Sequence, residues 1–182
     1  MTADLAAPMT GDGVRGEPLS VDHREALRAA CGEDPDIWQI YAIDYGPDAF
    51  DAGFDALLAG PYVPFALIAT DERLVGMSSF MNIVPERQTL EIGNTYYRPA
   101  FRGTGINRLI KDMMVARAIA AGYTRIEFRV DLRNTRSQSA MTKLGAVREG
   151  VMRKDRTTWT GHRRDTVLFS ILADEWESSE TN

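Results

Sequence analysis

The stretch from residue 97 to residue 107 has the clearest potential for binding chemistry in this sequence. Two glycines, Gly103 and Gly105, lie between a strand-like segment and a strongly amphipathic helical segment. Glycines there let the backbone approach a ligand closely, and the first turn of the following helix presents free N–H groups at the positive end of its dipole. Four basic side chains surround the loop: Arg98, Arg102, Arg108 and Lys111. The pattern predicts a binding site for an anion.

Two common phosphate-binding patterns do not match this loop. A dinucleotide-binding fingerprint needs a third glycine where the chain has Arg108, and no strand of the right length precedes the loop to open a β–α–β unit. The sequence has no Gly-Lys-Ser/Thr triplet, which excludes a nucleoside-triphosphate loop. On the loop alone, an ordinary glycine-containing start of a helix stays open as the alternative.

The charge distribution also points to an anionic ligand. The net charge is −5, but residues 1–60 hold 12 Asp and Glu against 3 Arg, whereas residues 98–164 hold 16 Lys and Arg against 5 Asp and Glu. A basic segment in an acidic protein favours an anion bound there, and a solvated helix face is the alternative. No nucleic-acid-binding motif is present and the rest of the chain would repel a polyanion, so we expect no nucleic-acid partner.

Composition limits the class of protein. A chain of 182 residues suits one domain with its own core. It has no run of about 18 apolar residues and no basic, apolar leader, which argues against a membrane partner and against secretion. One cysteine, Cys31, and two histidines, His23 and His162, are too few for a disulfide framework or a thiolate–imidazole zinc site. We therefore expect a cytoplasmic protein without a metal.

Hydrophobic periodicity predicts a mixed α/β domain over residues 14–176, between flexible tails at 1–13 and 177–182. The predicted helices are 21–30, 47–58, 103–121 and a short one from Asn134 to Gly145. The predicted strands are 65–70, 74–83, 89–97, 125–132, 146–153 and 165–172. This order indicates one sheet with helices on both faces.

Five stretches in this order resemble the GNAT acetyltransferases, and more closely their RimJ/RimL-type branch, which includes ribosomal-protein-alanine N-acetyltransferases. They are residues 91–95, the loop at 102–105, 134–137, 143–150, and 164–166 followed by 170–172. The resemblance implies an α/β (α+β) fold with an N-terminal strand followed by two helices, and a mixed, mostly antiparallel central sheet of about seven strands. It also implies that the sheet is splayed between its fourth and fifth strands, here 89–97 and 125–132, with acetyl-CoA as cosubstrate in the splay.

The resemblance further implies which residues hold acetyl-CoA. The pantetheine arm is expected to face Gly93, Asn94, Thr95, Asn134 and Ser137, and the pyrophosphate to face Arg98, Arg102, Gly103, Thr104, Gly105, Ile106 and Asn107. Many family loops begin with Arg or Gln where this chain has Ala100, and the neighbouring arginines are the expected compensation.

Direct aminolysis of a thioester needs orientation, a proton acceptor and a partner for the oxyanion. A backbone N–H near Asn94 is the expected oxyanion partner. Three carboxylates are candidates for the proton acceptor because they could line one cleft and relay a proton through water: Glu91, taken as the catalytic candidate, and Glu127 and Asp131 on a neighbouring strand. Charge pairing with arginines is the alternative role for all three carboxylates. No acyl-enzyme is needed, and Cys31 is expected to be a core or surface thiol.

Two positions come into question for the group that assists the leaving thiolate, Met141 and Ser137. Many family members have a tyrosine where this chain has Met141, so that role is not carried over. Ser137 resembles the serine given the role in the Rim branch, and capping of backbone groups is its alternative function. The branch's acid–base glutamate would fall near Asp155 and Arg156, which leaves the base open.

The acceptor side is expected to involve Trp38, Tyr41 and Glu127. Aromatic and acidic residues alternate in this region, which would suit a cationic amine or a basic peptide terminus, and the alternative is that Trp38 and Phe50 are core residues. We therefore predict an acetyl-CoA-dependent N-acetyltransferase acting on a protein N-terminal α-amine or a small amino compound. A catalytically weak acyl-CoA-binding sensor on the same fold is the alternative, and a homodimer stays open.

Overall fold

A computed structural model describes residues 3–180. Its centre is one sheet of eight strands in the order β1-β2-β3-β4-β5-β6-β8-β7. The strands are β1 Met9–Gly11, β2 Val14–Pro18, β3 Val63–Ala69, β4 Leu74–Val84, β5 Thr89–Tyr97, β6 Arg125–Asp131, β7 Val147–Thr157 and β8 Arg163–Leu172. All neighbours are antiparallel except β5 and β6. The predicted mixed sheet is confirmed, with eight strands instead of about seven.

Helices cover both faces of the sheet, as predicted. They are α1 Arg24–Gly32, α2 Phe50–Ala59, α3 Ile106–Ala120, α4 Thr135–Leu144 and α5 Ala173–Glu180. Short 3-10 helices occur at Val21–His23, Pro35–Ile40, Pro85–Arg87 and Pro99–Phe101. None of the helices in residues 3–180 is long and apolar enough to cross a membrane.

Alternation along the strands produces two separate core layers. In β3, Phe65 and Leu67 pack in the layer that contains α3 and α4, while Ala66 and Ile68 pack in the layer that contains α1 and α2. Each of these side chains is at most 8% exposed. The sheet is therefore buried on both faces, and any ligand that reaches it must enter where two strands separate.

The strands β5 and β6 separate soon after they meet. Their parallel pairing consists of Thr89 with Arg125, Leu90 with Ile126, and Glu91 with Glu127. Beyond Glu91 and Glu127 no further pairing of the two strands is seen within the described chain, and we call the gap between them the cleft. This is the predicted splay, although its walls are the fifth and sixth strands because the N-terminal part of the chain forms two strands, β1 and β2, where one was expected.

The termini differ from the predicted tails. Met9–Gly11 forms a strand against β2, although residues 1–13 were expected to be flexible. The guanidinium of Arg117 on α3 donates to the carbonyls of Asp4, Ala7 and Pro8, which fixes this segment through contacts remote in sequence. At the other end α5 extends to Glu180, into the predicted tail 177–182. Residues 1–2 and 181–182 of the predicted tails lie outside the described residues.

Candidate active site

The loop before α3 is open to solvent at its two glycines. Gly103 has φ +77° and Gly105 has φ +89°, backbone conformations that favour glycine. A Cβ atom added to either residue would meet no heavy atom within 4 Å. Gly105 is the N-cap of α3 and supplies no capping side chain. The Arg108 N–H donates to the Gly105 carbonyl at 2.9 Å, which leaves the N–H groups of Ile106 and Asn107 available to an anion. The predicted helix start at residue 103 moves to Ile106, because both glycines have left-handed backbone conformations.

A bulge in β5 lies at the mouth of the cleft. Ser79 of β4 pairs with Gly93 and Met77 pairs with Tyr96, so two residues, Asn94 and Thr95, stand opposite Ser78 alone. Asn94 has φ +48°, a conformation that asparagine tolerates better than most residues. A bulge redirects successive backbone groups away from the ladder. The backbone of β5 therefore turns toward the cleft at residues predicted to face the pantetheine.

Two tyrosines from the N-terminal part of the chain hold this bulge. The Tyr41 hydroxyl donates to the Thr95 carbonyl at 2.7 Å, and the Asn94 amide donates to the Tyr45 hydroxyl at 3.0 Å. Burial raises the pKa of both tyrosines to about 12, so both phenols are neutral at physiological pH. Tyr41, predicted to contact the acceptor, thus lies beside the cleft and fixes its wall.

Glu91 lies where the two strands separate, and it is 5% exposed. Its Oε2 accepts a hydrogen bond from the Asn82 amide at 2.6 Å and lies 3.5 Å from Nε of Arg129 on β6. Its Oε1 lies beside Gly93, where a Cβ atom would approach it to 2.8 Å. Burial raises the pKa of Glu91, and Arg129 and Asn82 oppose that shift. A carboxylate with one uncommitted oxygen and a raised pKa suits proton transfer.

Lys111 lies beneath the other side of the cleft and is 3% exposed. Its ammonium donates to Oγ1 of Thr95 at 2.8 Å and lies 5.9 Å from the centre of the Phe128 ring on β6. Burial, opposed by the charge of Glu91, lowers its pKa to about 7. The sequence suggested a charge beside the glycine loop. The structure instead places Lys111 inside the fold, against both walls of the cleft.

These features together fit a long anionic thioester. The open glycine loop and the uncapped N-terminus of α3 suit a pyrophosphate, and the cleft beside the bulge suits an extended arm. A family model described as an acetyltransferase (GNAT) domain matches residues 17–147. The chain belongs to the GNAT acetyltransferase family. This family's fold supports acetyl transfer from coenzyme A thioesters to amines.

Several solved structures resemble the protein over nearly its whole length. A "putative acetyltransferase" from T. thermophilus is 34% identical with a TM-score of 0.86, and the match covers 96% of this chain and 93% of that one. A GCN5-related N-acetyltransferase from Brucella melitensis is 24% identical with a TM-score of 0.90, and the match covers 100% of this chain and 86% of that one. Mycobacterium smegmatis RimJ, in complex with CoA-disulfide, is 21% identical with a TM-score of 0.76, and the match covers 96% of this chain and 88% of that one. No curated protein sequence matches the chain.

Two of the arginines predicted to bind the pyrophosphate have internal partners in this GNAT chain. Arg98 forms an ion pair with Glu33, and Arg102 forms one with Asp34, both just after α1. Arg102 also donates from Nε to the Tyr97 carbonyl at 2.8 Å. These side chains therefore fasten the loop to the N-terminal part of the fold, and the open charge at the loop comes from backbone N–H groups.

The α4 residues predicted to contact the cofactor occupy the first turn of that helix. Oδ1 of Asn134 accepts from the Ser137 backbone N–H at 3.0 Å, so Asn134 is the N-cap, as the sequence indicated. Within the described residues the Ser137 hydroxyl has no hydrogen-bond partner. Met141, one turn further, is buried and apolar. Ser137 therefore has a hydroxyl that is free to contact a ligand.

The other predicted carboxylates belong to a network of ion pairs. Glu127 contacts Arg125 at 3.0 Å and Arg129 at 3.2 Å. Asp131 contacts Arg133 at 2.8 Å, which is the charge pairing that the sequence left open for it. Glu127 is thus engaged with two guanidiniums instead of being free to bind an acceptor. Among the side chains that the structure describes, no group of three His, Cys, Asp or Glu could hold a metal ion.

The structure places Trp38 in the core, which corrects the prediction that it contacts the acceptor. It is 1% exposed, donates to the Cys31 carbonyl at 3.1 Å and stacks on Tyr96. The Trp38 carbonyl accepts from Nε1 of Trp159 at 2.8 Å. Trp159, in the β7–β8 loop, therefore links the C-terminal hairpin to the N-terminal segment across the cleft. Cys31 is fully buried, and burial raises its pKa to about 12.

Two residues of this site, Asn82 and Trp159, were not predicted from the sequence, and a third, Lys111, was expected at the glycine loop instead of inside the fold. Trp159 acts through Trp38, which is distant in sequence, and Asn82 meets Glu91 only because β4 pairs with β5, so no local pattern marks either residue. Lys111 did carry a signal, because it precedes Met114 and Ala118 by three and seven residues and so shares the buried stripe of α3. A lysine within such a stripe is an unusual buried charge.

Proposed function

We propose that this protein is an acetyl-CoA-dependent N-acetyltransferase of the RimJ/RimL type that acts on primary amines. One observation carries the proposal: β5 and β6 separate beside an uncapped helix N-terminus, and a buried carboxylate lies where they part. Glu91 supplies that carboxylate, and the glycines of residues 103–105 supply the open approach to the helix. The five sequence stretches that resemble the Rim branch support the finer assignment.

The residues at this site fit coenzyme A mainly because their backbone groups, more than their side chains, are placed to contact it. The N–H groups around Gly103, Gly105 and Ile106 would hold the pyrophosphate, and β5 from Gly93 to Thr95 would face the arm. Asn134 and the free hydroxyl of Ser137 would contact the arm from α4. When bound, acetyl-CoA supplies the activated acyl group, and the protein supplies position and proton transfer.

Glu91 would accept the proton of the attacking amine. Its Oε1 is free of hydrogen bonds among the described residues and lies beside Gly93 at the cleft, while Oε2 is held by Asn82. The hydrogen bond from Asn82 to Oε2 fixes the orientation of the carboxylate and leaves Oε1 free to accept a proton. A pKa raised by burial brings the group closer to neutral pH, where a general base is most effective.

The acceptor would approach from the face of the sheet that carries α1 and α2, because α3 and α4 cover the cofactor side. Tyr41 and the Trp159–Trp38 contact border that face. A primary amine, either a protein N-terminal α-amine or a small amino compound, is the expected acceptor class. A neutral amine is required for attack, so the protonated form must lose a proton before transfer.

A thiol-release assay with acetyl-CoA tests this proposal. The acceptor panel includes small amines and peptides with free N-termini, each peptide paired with an N-terminally blocked copy. Turnover with one acceptor class, and product mass raised by one acetyl group, is the expected result. Tight coenzyme A binding without turnover on any acceptor would favour the acyl-CoA-binding sensor. Absence of coenzyme A binding would refute both.

A further inference from the structure

Lys111 is a buried ammonium with little to compensate its charge. Among the residues described, no carboxylate lies within ion-pair distance of its Nζ, and its hydrogen bond goes to one neutral hydroxyl, Thr95 Oγ1. Burying a charge without a partner is costly, so proteins seldom retain one that has no task. A negative charge that appears at this place during the reaction would supply the missing partner.

The position of Lys111 is specific to the cofactor side of the cleft. Its Nζ contacts Thr95 on β5 and faces the Phe128 ring on β6, both beyond the point where the strands stop pairing. Glu91 faces the opposite side of β5, toward the acceptor. The α4 side chains buried toward α3, Met141 and Leu144, have no proton to donate. Lys111 is therefore the buried cation on the thioester's side of the sheet.

We propose that Lys111 is a catalytic residue that protonates the departing thiolate of coenzyme A, with Glu91 as the base on the other face. This inference rests on the proposed function. The two groups would thus act on opposite sides of one reacting carbonyl, one removing a proton and the other supplying one.

The proton balance of this step closes without another reagent. The amine nitrogen forms a C–N bond to the acetyl carbon as the C–S bond breaks, and the electron pair of that bond goes to sulfur. Glu91 takes one proton from the nitrogen, and Lys111 gives one to sulfur, which yields the amide and free coenzyme A thiol. Glu91 is then protonated and Lys111 neutral, and transfer of one proton between them through solvent restores both.

The electrostatics of the surroundings agree with this role. Burial lowers the pKa of Lys111 to about 7, so the group holds a proton near neutral pH and can also release it. The charged group that opposes this shift is Glu91. Tyr97, also packed on this side, stays neutral because burial raises its pKa, and Ser78 and Thr95 contribute neutral hydroxyls. The neighbouring α3 charges Arg108 and Asp112 pair with each other.

The test compares Lys111→Met and Lys111→Arg with wild type. Lys111→Met removes the charge at similar length, whereas Lys111→Arg keeps the charge but holds its proton too tightly to donate it. Lys143→Met, at an exposed position on α4, is the matched control, and Ser137→Ala tests the competing hydroxyl. Calorimetry measures coenzyme A binding. The ultraviolet absorbance of the bound thiolate, followed against pH, measures the thiol pKa in each complex.

We expect the thiol of bound coenzyme A to have a pKa at least one unit lower in wild type and in Lys143→Met than in Lys111→Met. We also expect kcat to fall by about 100-fold or more in Lys111→Met, the usual range for loss of an acid–base group. In wild type, kcat should decline above pH about 7, where Lys111 loses its proton, and both variants should lack this decline.

Three results would overturn the proposal. Equal thiol ionisation in wild type and Lys111→Met, with coenzyme A bound to both, would show that Lys111 does not face sulfur. Loss of the ionisation shift in Ser137→Ala but not in Lys111→Met would assign the role to Ser137. An acetyl group found on Lys111 by mass spectrometry after turnover would exclude proton donation. Failure of wild type to bind coenzyme A would instead refute the proposed function itself.

Discussion

Replacing Glu91 by glutamine isolates the chemical role of one oxygen. Glutamine has the same size, and its carbonyl can occupy the Oε2 position and accept from Asn82 as the carboxylate does at 2.6 Å. Its amide nitrogen then lies at the Oε1 position beside Gly93, where it donates protons instead of accepting them. Glu91→Gln therefore keeps the packing and the Asn82 contact and removes the proton acceptor.

The expected loss follows from the size of general base catalysis. A positioned base contributes roughly 100- to 10,000-fold to rate. At about 1.4 kcal/mol for each factor of ten, this corresponds to about 3–6 kcal/mol of activation free energy. The loss should appear in kcat, because Glu91 lies at the cleft and not at the glycine loop that would hold the pyrophosphate. The affinity for coenzyme A should stay nearly unchanged.

The fold should tolerate this change. Burial raises the pKa of Glu91, so the folded state disfavours its charge, and the free energy of unfolding at neutral pH should hold or rise in Glu91→Gln. In wild type, kcat should decrease as the pH falls through the raised pKa of Glu91, and this acid limb should vanish in the variant. Steady-state kinetics against pH, urea unfolding and calorimetry with coenzyme A measure the three quantities.

Glu86→Gln is the matched control, since Glu86 lies in the exposed turn before β5 and carries the same substitution. It should retain wild-type turnover. If Glu91→Gln keeps full kcat and the acid limb, the carboxylate serves only its contacts with Asn82 and Arg129. If it loses coenzyme A affinity by as large a factor as kcat, the cleft itself has been damaged and the base assignment fails.

Further predictions concern the loop, the buried lysine and the tryptophan contact. Gly105→Ala and Gly145→Ala both place alanine at a left-handed position and should each lower the free energy of unfolding by about 1–2 kcal/mol, but only Gly105→Ala should weaken coenzyme A binding in calorimetry. Lys111→Met should raise the free energy of unfolding at pH 7 by at most about 4 kcal/mol, and this excess should fade as the pH rises from 7 and vanish above 10.5, where wild-type lysine is neutral in both the folded and the unfolded state. Trp159→Phe should lower the free energy of unfolding by about 0.5–1.5 kcal/mol and speed amide hydrogen exchange in residues 35–40. Unchanged exchange in these residues would refute the proposed role of the Trp159–Trp38 hydrogen bond.

Elements with strong local patterns could be predicted from the sequence. The strand at 89–97 has the predicted bounds, because buried Leu90 and Ile92 alternate with residues on the other face. The strand predicted at 146–153 extends to Thr157, since this edge strand is mostly exposed and lacks a clear apolar alternation. The strand β1 was missed because three residues give no period, and its position depends on Arg117.

The part of the site that is formed by backbone, the glycine loop, could be predicted from the sequence. The side-chain pairs between separate segments could not. Gly103 and Gly105 indicate a left-handed backbone in the loop, because glycine is the residue that most readily adopts a positive φ. The partners of Arg98 and Arg102 lie more than 60 residues away, so nothing local shows that these guanidiniums are already paired. Asn82 lies close to Glu91 in sequence, but their contact depends on the register of β4 against β5, which no local pattern shows.

The short contact between β5 and β6 has a thermodynamic consequence. Three residue pairs, from Thr89 with Arg125 to Glu91 with Glu127, join the five-strand and three-strand parts of the sheet. A ligand wedged between them would touch both parts, so its binding free energy would also oppose their local opening. Saturation with coenzyme A should therefore raise the melting temperature and slow amide exchange at these three pairs together, which makes this joint a reporter of occupancy.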